Sequence, residues 1–144
     1  MKKQGIKIFL LATFLIGSTM SCTSESVNTD CTPTSVIGDK TSKDEDNAVL
    51  TQLFKEIESL SNSKTCDNAG QWLFTPIGAK ACGGPSGYIA YSSQIDVACF
   101  LKKVEHYTAQ TKKYNTKHGI ISDCMISPSP KNVSCENGKP VLVY

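Results

Sequence analysis

Seven cysteines, Cys22, Cys31, Cys66, Cys82, Cys99, Cys124 and Cys135, constrain this 144-residue chain more than any other feature. The last six are spread through a polar chain of single-domain size and read as three disulfides. A metal site is the competing reading. It lacks C-x-x-C and H-x-x-x-H spacings, and His106 and His118 are the only histidines. No metal and no cofactor is therefore expected. Six cysteines admit fifteen pairings, and spacing alone does not choose among them. Short loops favour the local bridges Cys66–Cys82 and Cys124–Cys135, each adding about 3 kcal/mol for a loop of roughly 15 residues.

Cys22 belongs to a different pattern. Lys2, Lys3 and Lys7 precede the apolar run Ile8 to Ile16, and Gly17-Ser18-Thr19-Met20-Ser21 follows it. An apolar run of about nine residues falls short of the roughly 20 that span a bilayer, so residues 1–21 read as a secretory signal peptide. The Ser21-Cys22 junction resembles the bacterial lipobox in its looser form, with Thr19 where leucine is usual. That resemblance implies a diacylglycerol on the Cys22 sulfur and an acyl group such as palmitate on its new amino terminus. Each buried CH₂ contributes ~0.8 kcal/mol, so two or three chains hold a protein on a membrane where one does so only marginally. Plain cleavage near Ser21, releasing a free protein, is the alternative. No other segment is apolar enough to span. The expectation is an exported lipoprotein of the cell envelope, anchored to the outer membrane without crossing it.

The leader distorts the charge balance. All 15 basic residues are lysines, and removing residues 1–21 takes Lys2, Lys3 and Lys7 but no acids, leaving 12 lysines against 13 acids, a net −1. A near-neutral chain without arginine lacks the planar fork that reads phosphate and guanine, so nucleic acid is not an expected partner.

Residues 22–43 are rich in Ser, Thr, Asn, Asp and Lys and read as a flexible tether, its middle pinned at Cys31 and Val36-Ile37. Ser42 and Glu45 have capping-box spacing, and Val49, Leu50, Leu53, Phe54, Ile57 and Leu60 share one face of the helix that follows. A second helix is predicted from Ser92 or Ser93 to about Tyr114. Its seam is Val97, Leu101, Val104, Thr108 and Thr111, with Phe100 and Tyr107 beside it. Cys99 lies about 160° from that seam. The pinned tether is the natural cover for that side, which makes Cys31–Cys99 the preferred long-range pair. Gln71 to Phe74 reads as a strand, and Tyr88 to Tyr91 as a strand or a helical turn. Gly119 to Ile121 and Met125-Ile126 also read as β. Asn137-Gly138 between the apolar arms Asn132–Cys135 and Pro140–Tyr144 is a strong hairpin signal, with Pro140 at an edge. The fold class is α+β: one small disulfide-stabilised domain, residues 44–144, with two helices packed on a short antiparallel sheet and a C-terminal hairpin.

Gly78-Ala79-Lys80-Ala81-Cys82-Gly83-Gly84-Pro85 followed by Tyr88 is a shaped loop. This segment resembles a group of uncharacterised bacterial secreted proteins and lipoproteins that share a G-x-K-x-C-G-G-P-x-x-Y core. They also share an upstream cysteine (Cys66 here), an S-x-C segment (Ser122-Asp123-Cys124) and a closing C-x-x-G (Cys135 to Gly138). The resemblance covers roughly residues 66–139 and implies an exported domain without supplying catalytic residues. Members often carry a cysteine just after the last glycine, where Lys139 and Pro140 stand here. That departure implies a differing disulfide pattern, with Cys31 and Cys99 as a local addition.

Gly83, Gly84, Pro85 and Tyr88 are the candidate binding loop. Rigid disulfide-tied loops lower the ordering cost of binding, as in protein inhibitors; the competing reading is a structural corner closed by Cys82. Cys82 as a nucleophile would need a thiolate and a base, which an oxidising compartment with five other cysteines disfavours. His106 falls on a solvent face. His118, at a helix end, could act as a base, but spacing assigns it no nucleophile. Trp72, Tyr88 and Tyr91 could stack on a sugar or pack in a core. Asp96 and Glu105 fall on different helix faces and make no carboxylate pair. Gly83-Gly84 precedes no Gly-Lys-Ser/Thr and is not a phosphate loop. The expectation is a non-catalytic binding or structural module, not an enzyme, with an envelope or extracellular protein as partner. An inhibitor of an extracellular hydrolase acting through Gly83–Tyr88, a small hydrolase using His118 and a carbohydrate-binding module are the alternatives.

Overall fold

The computed structural model describes residues 31–144. The leader, Cys22 and the tether up to residue 30 lie outside the described residues.

Helix α1 spans Lys43–Ser61 and starts where the capping box predicts. Glu45 N–H donates to Ser42 Oγ, and Ser42 N–H donates back to Glu45 Oε2 at 2.8 Å. Asp44, Glu45 and Asp46 fill the positive first turn. Helix α2 spans Val97–Lys117, capped by Asp96, whose carboxylate accepts from Cys99 N–H at 2.9 Å. Strands β1 (Trp72–Ile77) and β2 (Gly87–Ser92) pair antiparallel, Trp72 opposite Ser92 and Ile77 opposite Gly87. Strands β3 (Asn132–Glu136) and β4 (Lys139–Val143) form a second antiparallel pair, with Cys135 opposite Pro140. The fold is thus α+β and disulfide-stabilised, but its β structure is two separate hairpins rather than one sheet.

The helices run antiparallel. Asp46 near the start of α1 meets Lys117 at the end of α2, and Glu56 meets Lys103 at 3.0 Å midway. Ile57, Ile77, Tyr91, Phe100 and Val104 form the main core between the helix pair and the first hairpin. Cys66, Trp72, Ala90 and Val133 form a second cluster that seats the C-terminal hairpin. Phe54, expected on the buried face of α1, lies at its rim against Tyr107, ring centroids 5.6 Å apart.

Expectations about α2 and the segments on either side of it are also revised. The α2 seam is rotated: Phe100, Lys103 and Val104 are buried while Leu101 is 37% exposed. The cause is that α2 is covered on two sides. The pinning expected at Cys31 and Ile37 is present and extends through residues 31–42, which are part of the packed unit and lie along its second side. Ile37 is buried and donates its N–H to Gln110 Oε1 at 2.9 Å. His106, expected to face solvent, contacts Ser35 O through Nε2 at 2.8 Å. Residues 119–131, expected to begin as β, form an irregular strap outside both hairpins, returning from the end of α2 to the start of β3.

The disulfides are Cys31–Cys99, Cys66–Cys135 and Cys82–Cys124. The first is the pair that helix geometry favours. The local bridges Cys66–Cys82 and Cys124–Cys135 do not form. The C-terminal hairpin folds back so that Cys66 N–H donates to Gly138 O at 2.8 Å, which delivers Cys135 to Cys66. The strap meanwhile carries Cys124 to the glycine-rich loop. Three disulfides point to an exported, non-cytoplasmic protein. Among the described residues no helix is long and apolar enough to cross a membrane.

Candidate functional site

The loop joining β1 to β2 is a corner pinned to α2. Gly78 turns the chain at φ +70, and its N–H donates to Thr108 Oγ1 at 3.0 Å. A Cβ on Gly78 would sit 2.9 Å from Ser86 Oγ, so both backbone angle and space demand glycine there. Ala79 is buried, and its carbonyl accepts from Asn115 Nδ2 at 2.8 Å. Paired backbone bonds, Lys80 N–H to Gly84 O and Gly83 N–H to Lys80 O, close the tip, and Ser86 N–H to Ile77 O closes the base.

The strap crosses this corner and is clamped to it. Cys124 is bonded to Cys82. Lys80 Nζ reaches Asp123 Oδ1 at 3.2 Å and Met125 O at 2.7 Å. Ser122 Oγ accepts from Cys82 N–H at 3.3 Å, and Ser127 Oγ donates to Pro85 O at 3.2 Å. The Lys80 ammonium, then the Met125 N–H, hold the Asp123 carboxyl below its ordinary range. Fixed in this way, the strap turns three large apolar side chains to solvent: Ile121 is 93% exposed, Met125 69% and Ile126 93%.

Beside the corner lies an open cleft of about 810 Å³, lined by Lys80, Lys112, Lys113, Lys117, Asn115 and Gly119 among others. Its lysines are largely committed. Lys113 pairs with Asp39 at 2.7 Å, Lys117 with Asp46 at 2.6 Å and Lys80 with Asp123. The cleft is therefore a weak site for an anion.

Of the candidate binding loop, Gly83 and Gly84 are exposed and take φ +98 and +78, with open space where a side chain would stand. Pro85 anchors the strap through its carbonyl. Tyr88 sits instead on β2, edge-on to Phe74 at 6.1 Å. Trp72 and Tyr91 are core residues and offer no sugar-stacking face. His118 is half-buried, and its Nε2 is held by Asp46 Oδ2 at 2.7 Å. Lys117 and Thr41 complete that knot, which fastens the residues before α1 to the end of α2. Cys31, Asp96 and Cys99 approach one another as metal ligands would, but disulfide sulfurs are not thiolates and Asp96 is capping α2.

Sequence reasoning missed Ile121, Met125 and Ile126 as surface groups because it placed them on strands. One signal was present: Pro128 and Pro130 keep any strand through Met125-Ile126 from continuing into Asn132–Cys135. No family model, no curated protein and no solved structure matches this chain.

Proposed function

We propose that this protein is a non-catalytic envelope lipoprotein, anchored through Cys22, that binds an envelope or extracellular protein with the strap of residues 120–127. One observation carries the reading: Ile121, Met125 and Ile126 are exposed on a segment held by a disulfide, an ion pair and two side-chain hydrogen bonds. Apolar groups held out of a core mark contact surfaces, and prior immobilisation lowers the ordering cost of binding. The glycine-rich corner is then the brace and the strap the contact. Within this reading, an extended, cross-braced segment suits the cleft of an extracellular hydrolase, which the protein would inhibit.

The test compares the oxidised mature domain with the Ile121→Asp, Ile126→Asp double variant, by cross-linking on intact envelopes and against a panel of extracellular hydrolases. A partner or inhibited enzyme bound by the wild type and lost in the variant, at unchanged melting temperature, supports the reading. Equal binding by both overturns it. Cys22→Ser, followed by fractionation, tests the anchor separately: the variant leaves the membrane fraction if the anchor is there.

A further inference from the structure

The three disulfides sit in unlike surroundings. Cys66 is buried in the Trp72–Val133 cluster with Cys135 packed against it, and Cys99 is buried with its partner Cys31 half-buried. Cys82 and Cys124 are both exposed. The exposed bridge is also asymmetric. Ser122 Oγ lies 2.8 Å from Cys82 Sγ. A disulfide sulfur carries no hydrogen, so the hydroxyl is the donor. Cys82 N–H already occupies an acceptor site on the same oxygen, which directs the hydroxyl proton toward sulfur.

That hydrogen bond strengthens if charge develops on Cys82, because bonds to ionised groups are the stronger ones. A better-stabilised leaving thiolate departs faster in thiol–disulfide exchange. We propose that Cys82–Cys124 is a thiol–disulfide exchange site whose substrate is an external thiol. The thiolate attacks Cys124 Sγ and a new S–S bond forms between them. The Cys82–Cys124 bond breaks, and its electron pair leaves on Cys82 Sγ, held by the Ser122 hydroxyl. The external thiol remains on Cys124 as a mixed disulfide, and a second thiol can displace it, leaving both cysteines reduced. The core bridges stay closed. The strap keeps its Lys80 and Ser127 contacts but loses its covalent tie to the corner. This assignment stands whether or not the strap binds a partner.

The experiment incubates the oxidised mature chain with graded reduced glutathione, quenches with acid, alkylates the freed thiols and maps peptides by mass spectrometry. The expected first product carries glutathione on Cys124 and the alkyl label on Cys82, with the other four cysteines still paired. Ser122→Ala should slow its formation roughly tenfold, the weight of one hydrogen bond to a charged group, and Ser122→Thr should restore it. Three results overturn the assignment: glutathione on Cys82, opening of either other bridge at the same or lower thiol concentration, or an unchanged rate in Ser122→Ala.

Discussion

Asp46 is 1% exposed, yet it carries three hydrogen-bond partners, Thr41, Lys117 at 2.6 Å and His118 at 2.7 Å. Burial alone would push its carboxyl up. The bonds from Lys117, Thr41 and His118 outweigh burial and lower it from 3.8 to about 2. The position is favourable twice over, since Asp46 sits on the positive end of α1 and Lys117 on the negative end of α2. A carboxyl lowered on folding contributes stability that is whole above its unfolded value and is lost as pH falls through its folded value. The denaturation midpoint should therefore fall between pH 3.8 and about 2. Asp46→Asn should be less stable at neutral pH and should lose that part of the acid dependence, as urea titrations across the range would report. Ile37 makes a second test at this scale. Ile37→Ala should cost about 2–4 kcal/mol by chemical denaturation, because its side chain is buried against the folded unit; a surface tether would lose nothing. Sequence pattern marked Ile37 as pinned and Asp46 as a helix-start acid. It could not join Asp46 to Lys117, because that contact exists only once two distant helix ends meet.

Elements whose signals are local were legible. The capping box starts α1 at the predicted residue, and the Asn137-Gly138 turn holds both residues at positive φ, 52 and 74, as a tight hairpin requires. A side chain on Gly138 would adopt a strained angle and meet Thr65 Cγ2 at 3.1 Å. Gly138→Ala should therefore lower stability by about 1–2 kcal/mol, read as a melting shift. Gly83→Ala, at a similar angle but in open space, should cost the angle alone. What local pattern mistook was the strap. Ile120-Ile121 and Met125-Ile126 have strand composition, but a strand needs a neighbour, and the strap pairs with neither hairpin. Periodicity placed a cover over Cys99, but it could not show that the cover runs on to Gln110 and so shifts the buried face of α2.

At the scale of the molecule, the disulfides join residues separated by 68, 69 and 42 positions, and the Cys31–Cys99 loop interlocks with both others. Nearest-neighbour reasoning failed on two of them for this reason: it weighs loop closure in a disordered chain, whereas pairing here is set by where the folded elements place the sulfurs. Closing a longer loop costs more entropy, so a disordered chain disfavours all three native pairs relative to Cys124–Cys135 or Cys66–Cys82. Once formed, the long loops constrain the unfolded chain more, by about 4 kcal/mol each in the chain-entropy account. Oxidation therefore depends on conditions in a defined direction. The reduced mature chain oxidised in strong denaturant should give short-loop isomers, with the native map in fewer than about one molecule in fifteen. Oxidation in native buffer with a disulfide isomerase should give the native map, because the helix pair and both hairpins must form first. Peptide mapping of the two products is the measurement. A predominantly native map from denaturant would show instead that residual order in the unfolded chain chooses the partners.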